Sequence, residues 1–73
     1  MADLKEVSVT NRVKVARIEK GDLTQSNFAK MVGVTRQTMS LIEGQKYNPT
    51  IRVCLLIHKH LEKPLDELFW IDE

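Results

Sequence analysis

The sequence predicts an all-α fold, a compact bundle of five short helices, and three observations carry that expectation. Apolar residues recur three and four positions apart, as in Phe28 with Val32 and Met39 with Ile42, which is the spacing that puts side chains on one face of a helix. Hydroxyl or amide residues that can accept an open backbone N–H stand ahead of the runs, at Thr10 or Asn11, Thr24, Thr35 and Thr50. Glycines at 21 and 33 stand where the first two runs end. Seventy-three residues make one small domain, near the size at which a single core is marginal.

Taken in order, residues 1–10 form an N-terminal arm. Leu4 to Thr10 alternates loosely, with Val7 and Val9 on one side, which suits a short strand or, equally, a frayed terminus. A β-prone partner exists in Phe69, Trp70 and Ile71, so a two-stranded ribbon joining the two ends is open. Residues 11–73 form the single domain. Its first helix runs to about Lys20, with Val13, Ala16 and Arg17 at helical spacing and Arg12, Lys14 and Lys20 as the solvated face. Thr24 caps a second helix with Leu23 as its staple, and Phe28, Ala29 and Val32 face inward before Gly33 stops it. Thr35 caps a third, whose underside is Met39 and Ile42 while Arg36, Gln37 and Ser40 point elsewhere.

Gly44 to Pro49 reads as a turn. A fourth helix follows from Ile51 to about Leu61, and its apolar residues Ile51, Val53, Cys54, Leu56, Ile57 and Leu61 are too many for a narrow stripe, so it is expected at the centre of the core. Pro64 opens a short last helix, Leu65 to Phe69, with Asp66 and Glu67 where the helix dipole favours them.

Formal net charge is only +1, yet it is unevenly spread. Asn11 to Lys46 holds seven basic residues against three acidic, a local +4, while Leu61 to Glu73 holds one against five, a local −4. A basic end for phosphates and an acidic end turned away is the arrangement this suggests. Cys54 stands alone, so no internal disulfide can form, and its apolar neighbours make it a small hydrophobe rather than a reactive thiol. His58 and His60, two apart, point to different sides of a helix and complete no ligand set, so neither metal nor cofactor is expected. No apolar run approaches the length of a membrane span and the start, MADLKEVSV, lacks the marks of a signal peptide, so a cytoplasmic protein without a membrane partner is expected. There is no HExxH, P-loop or dinucleotide fingerprint, which argues against an enzyme.

The stretch TQSNFAKMVGVTRQTMSLIE, Thr24 to Glu43, resembles the helix-turn-helix of the Xre/Cro phage-repressor family of DNA-binding proteins. Gln25 stands at that unit's first place, apolar residues Phe28, Val32, Val34, Met39 and Ile42 at its inner places, and Ala29 and Gly33 at the positions where the family has Ala and Gly. Glu43, Lys46 and Pro49 fit the turn that follows, whereas Gly44 and Gln45 depart from it, the glycine coming one place early. The likeness extends over about Asn11 to Trp70 and implies a lambda-repressor-like fold; some small repressors of this kind also join their termini in a two-stranded ribbon.

The resemblance implies a sequence-specific regulator, a repressor, that binds double-stranded DNA as a homodimer on a pseudo-palindromic operator, with no small-molecule effector. Thr35, Arg36, Gln37, Ser40 and Leu41 are then the base-edge readers, with Arg36 suited to guanine, Gln37 to adenine and Leu41 to a thymine methyl. Gln25, Thr38, Lys46, Tyr47 and Asn48 are the phosphate contacts. Leu68, Phe69, Trp70 and Ile71 put four large apolar side chains in a row and are the expected dimer interface. The alternative is a helical adaptor or antitoxin-like partner that retains the same scaffold and binds protein.

Overall fold

A computed structural model of the chain describes residues 8–72. The elements run β1 (Ser8–Asn11), α1 (Val13–Glu19), α2 (Gln25–Val32), α3 (Arg36–Glu43), α4 (Ile51–Leu61), α5 (Leu65–Leu68) and β2 (Phe69–Asp72). Three threonines start three of the helices. The hydroxyls of Thr24, Thr35 and Thr50 accept the backbone N–H of Asn27, Thr38 and Val53 at 3.1, 3.0 and 3.3 Å, each worth about 1 kcal/mol. Gly33 closes α2 at φ +79°, a left-handed conformation that a residue without a Cβ adopts freely, and the N–H groups of Gly33 and Val34 bond back to Lys30 and Ala29.

Asn11 does the capping of α1 from within the strand: its Oδ1 accepts the Val13 N–H at 3.0 Å, and its Nδ2 donates to the Ile42 carbonyl at 2.9 Å. The ribbon left open by the sequence is present. β1 and β2 pair antiparallel in the register Ser8 to Asp72, Val9 to Ile71, Thr10 to Trp70 and Asn11 to Phe69. The strand runs one residue past the expected Thr10, to Asn11, and residues 4–7 of that expectation fall outside the described residues. α5 ends at Leu68, because Phe69 already has extended backbone and begins β2.

The core is built where α1 to α5 meet, around Phe28, Met39, Ile42, Ile57 and Leu68, all at most 1% exposed. Two expectations need correction here. α4 is not buried all round: Val53, Ile57 and Leu61, four apart, form its inner stripe, while Ile51 and Leu55 are 69% and 49% exposed and Cys54 and Leu56 are half-buried. Leu68 belongs to the protomer's own core, so it has no surface left to give an interface.

The charge split is also less clean than composition implied, since Lys20 pairs with Glu62 at 3.3 Å and Lys63 with Glu19 at 3.4 Å across the two halves. Both pairs are solvent-facing and contribute little stability. His58, half-buried, holds the end of α4: its Nδ1 lies 2.6 Å from the Lys63 carbonyl, which can only accept, so that nitrogen carries the hydrogen. Among the described residues no helix is long and apolar enough to cross a membrane, and no group of three His, Cys, Asp or Glu is placed to hold a metal ion.

Candidate nucleic-acid interface

α3 is two-sided. Met39 and Ile42 are fully buried beneath it, whereas Arg36, Gln37, Ser40 and Leu41 are exposed along its outer face and Thr35 is exposed at its start. The Thr35 hydroxyl is occupied twice, accepting the Thr38 N–H and donating to the Thr38 hydroxyl at 3.0 Å, so its polar group acts first as a cap. Thr38, half-buried, keeps its own hydroxyl hydrogen for an outside acceptor. Past the helix, Lys46, Tyr47 and Asn48 are all exposed.

Beneath this face lies a polar network that sequence reasoning missed. The Glu43 carboxylate, 2% exposed, receives Arg17 Nε at 2.8 Å and Arg17 Nη2 at 3.2 Å in a bidentate pair. It also accepts Gln25 Nε2 at 3.0 Å, while Arg17 Nη1 donates to the Leu23 carbonyl at 2.9 Å. With Gln25 Nε2 held by Glu43, its Oε1 turns outward and accepts Arg36 Nη1 at 3.4 Å. A chain of contacts thus runs from α1 through the start of α2 to the first exposed side chain of α3. Gln25 is accordingly half-buried and already engaged, with one Nε2 hydrogen left for a phosphate oxygen. Arg17, counted in the basic half, is neutralised inside the fold. The legible sign was a charge on an apolar stripe: Arg17 follows Val13 and Ala16 at inner-face spacing, and Glu43 lies four after Met39.

The turn after α3 explains the displaced glycine. The left-handed residue is Gln45, at φ +65°, while Gly44 has φ −86°. At Gly44 a Cβ would sit 3.2 Å from the Ser40 carbonyl oxygen, a tight contact that the missing side chain avoids. Gln45 compensates for its strained backbone with its side chain: Oε1 accepts the Asn11 N–H at 3.0 Å and Nε2 donates to the Asn11 carbonyl at 2.9 Å.

A second surface lies on the far end of the chain. Ile51, Cys54, Leu65 and Phe69 line an apolar groove with Asp66 at its edge, and Leu55 continues the exposed face of α4 beside it. Burial pushes the Cys54 thiol up, so it stays protonated and behaves as an apolar side chain. Alternation along β2 puts Phe69 and Ile71 on one face of the ribbon and Trp70 on the other. Phe69 packs on the core, while Ile71 and its cross-strand partner Val9 are 58% and 38% exposed and Trp70 is 37% exposed. The four-residue apolar row of the sequence is therefore divided among core, groove and two ribbon faces.

The chain matches the HTH_3 family model, described as helix-turn-helix, over residues 13–68. It is 36% identical over 63 residues to the uncharacterized HTH-type transcriptional regulator YgzD of Bacillus subtilis, covering 86% of this chain and 94% of that one. An uncharacterized HTH-type transcriptional regulator of Archaeoglobus fulgidus is 36% identical over 62 residues, 85% of this chain and 87% of its own. Another, MJ0272 of Methanocaldococcus jannaschii, is 38% identical over 48 residues, 66% and 73% respectively.

Proposed function

This chain belongs to the HTH_3 helix-turn-helix family, of the Xre/Cro type, and from that premise we propose that it binds double-stranded DNA sequence-specifically as a homodimer and represses transcription by occupying its operator. The observation that carries the reading is the outer face of α3, which is exposed, hydrogen-bonding and held at both ends, over an inner face that is fully buried. Arg36 and Gln37 on the outer face carry the donor and acceptor groups that can pair base edges in the major groove.

α3 enters the major groove N-terminus first, its guanidinium at Arg36 pairing a guanine's O6 and N7, Gln37 pairing an adenine, and Leu41 meeting a thymine methyl. Gln25, Thr38, Lys46, Tyr47 and Asn48 contact the flanking phosphates. Two copies associate through the apolar groove lined by Ile51 and Phe69 together with the exposed Trp70 and Ile71 of the ribbon, so that two reading helices lie about one turn of DNA apart on a pseudo-palindromic site.

Filter binding of the protein to duplex DNA over a range of salt tests this reading. Affinity that falls steeply and linearly on logarithmic axes supports phosphate neutralisation. Absence of binding at low salt rejects it and leaves the protein-binding adaptor, whose contact would be the same apolar groove.

A further inference from the structure

Gln45 occupies a position that the fold makes difficult for it. At φ +65° the backbone is one that glycine takes freely and other residues rarely adopt, and the glycine that would suit the site stands one place earlier. The side chain shows what is gained. Its carboxamide lies along the outward edge of β1, taking the Asn11 N–H at 3.0 Å and giving to the Asn11 carbonyl at 2.9 Å, much as a third strand would. Asn11 in turn sends Nδ2 to the Ile42 carbonyl at 2.9 Å, and the Gln45 backbone N–H reaches the same carbonyl at 3.1 Å. The end of α3 and the segment that leads into Lys46, Tyr47 and Asn48 are thereby fastened to the ribbon at a single point. Asn11 is 8% exposed and pairs with Phe69 of β2, so the anchor is itself rigid.

We propose that Gln45 is a positioning residue for DNA contact: its amide clamp on Asn11 fixes the segment carrying Lys46 so that the ammonium meets a phosphate when α3 is in the groove. This rests on the DNA-binding reading above. Without the clamp the segment keeps its backbone bonds to α3, from Gln45 N–H to the Ile42 carbonyl and from Lys46 N–H to the Leu41 carbonyl at 3.1 and 2.9 Å, but loses its tie to β1, and the exposed Lys46 side chain searches a wider space before it finds its phosphate. The strained backbone at 45 persists because the surrounding bonds over-determine it, and such positions gather where geometry serves function.

Gln45→Gly is the informative variant, because glycine keeps the left-handed turn without strain and removes only the clamp. Amide hydrogen exchange should show the Asn11 N–H deprotected while the protein stays folded. Duplex binding should weaken by no more than about fivefold, on all sequences alike, with the slope of log affinity against log salt smaller by about one, the mark of a lost phosphate contact. A double-mutant cycle separates positioning from general loosening: Lys46→Gln should weaken the wild type about fivefold but the Gln45→Gly protein less than about twofold. Additive losses, a wild-type salt slope in Gln45→Gly, or an Asn11 amide as protected as before would each overturn the proposal. Failure of the wild type itself to bind duplex DNA would overturn the functional reading and this inference together, whereas failure confined to the variant comparison overturns this inference alone.

Discussion

Replacing Glu43 with alanine breaks a buried ion pair from one side. The carboxylate is 2% exposed and neutralises an Arg17 side chain that is itself 11% exposed, through bonds of 2.8 and 3.2 Å. With Glu43 gone, the guanidinium keeps only the Leu23 carbonyl at 2.9 Å, and Gln25 Nε2 loses its acceptor. Breaking one side of a buried pair costs about 3 to 5 kcal/mol, because it leaves an uncompensated charge in the protein. A domain of 73 residues has a total stability of about 4 to 11 kcal/mol, so Glu43→Ala should remove a large fraction of it. Urea denaturation followed by circular dichroism measures this directly. The double variant Arg17→Met with Glu43→Leu should recover most of the loss, since apolar replacement of both partners removes the stranded charge. It should not recover specific DNA binding, because Gln25 is then free and no longer holds Arg36 from behind. A Glu43→Ala protein within about 1 kcal/mol of the wild type, or a double variant no more stable than the single, would refute the assignment of this pair as a buried, mutually dependent unit.

Arg36→Ala should leave the melting temperature nearly unchanged and weaken specific binding by about 1 to 3 kcal/mol with relaxed preference at one base pair; equal loss on specific and random duplexes would mean that Arg36 touches only phosphate. Gly33→Val should lower stability by about 1 to 2 kcal/mol, or about 4 to 16 °C, through the φ of +79°. Its origin is conformational, since a Cβ at Gly33 would find only the Arg52 Nη1 tip at 3.8 Å, so a melting temperature equal to the wild type's would contradict the left-handed stop. Sedimentation at micromolar concentration should give a dimer for the wild type and a monomer for Ile51→Ser with Ile71→Ser, and a wild type that is monomeric both free and on DNA would exclude the proposed assembly.

The parts of the fold that depend on local chemistry were legible without coordinates. Thr24, Thr35 and Thr50 cap the helices they precede, Gly33 takes the positive φ expected of it, and Phe28, Val32, Met39 and Ile42 fill the core their spacing assigned them. What stayed hidden depends on which distant groups meet. Apolar count alone put α4 at the centre, yet only its Val53, Ile57 and Leu61 stripe is buried, in a domain too small to cover Ile51 and Leu55 as well. Four consecutive apolar residues at 68 to 71 looked like one patch, but the helix-to-strand switch between Leu68 and Phe69 sends them in different directions. Arg17, Glu43 and Gln25 are 26 and 18 residues apart along the chain, and Asn11 and Gln45 are 34 apart, so no local pattern could pair them. Only the oddity of a charge on an apolar stripe, and of a glycine one place early, marked where they would be.

The groove-reading role of α3 is tested most directly by selection from a random duplex pool on the intact protein, followed by sequencing of the bound fraction. The expected result is an enriched pseudo-palindrome whose half-sites lie about one helical turn apart, with the base pair read by Arg36 losing its enrichment when the selection is repeated with Arg36→Ala. A bound fraction with no enriched sequence, or one whose pattern is indifferent to Arg36, would contradict it.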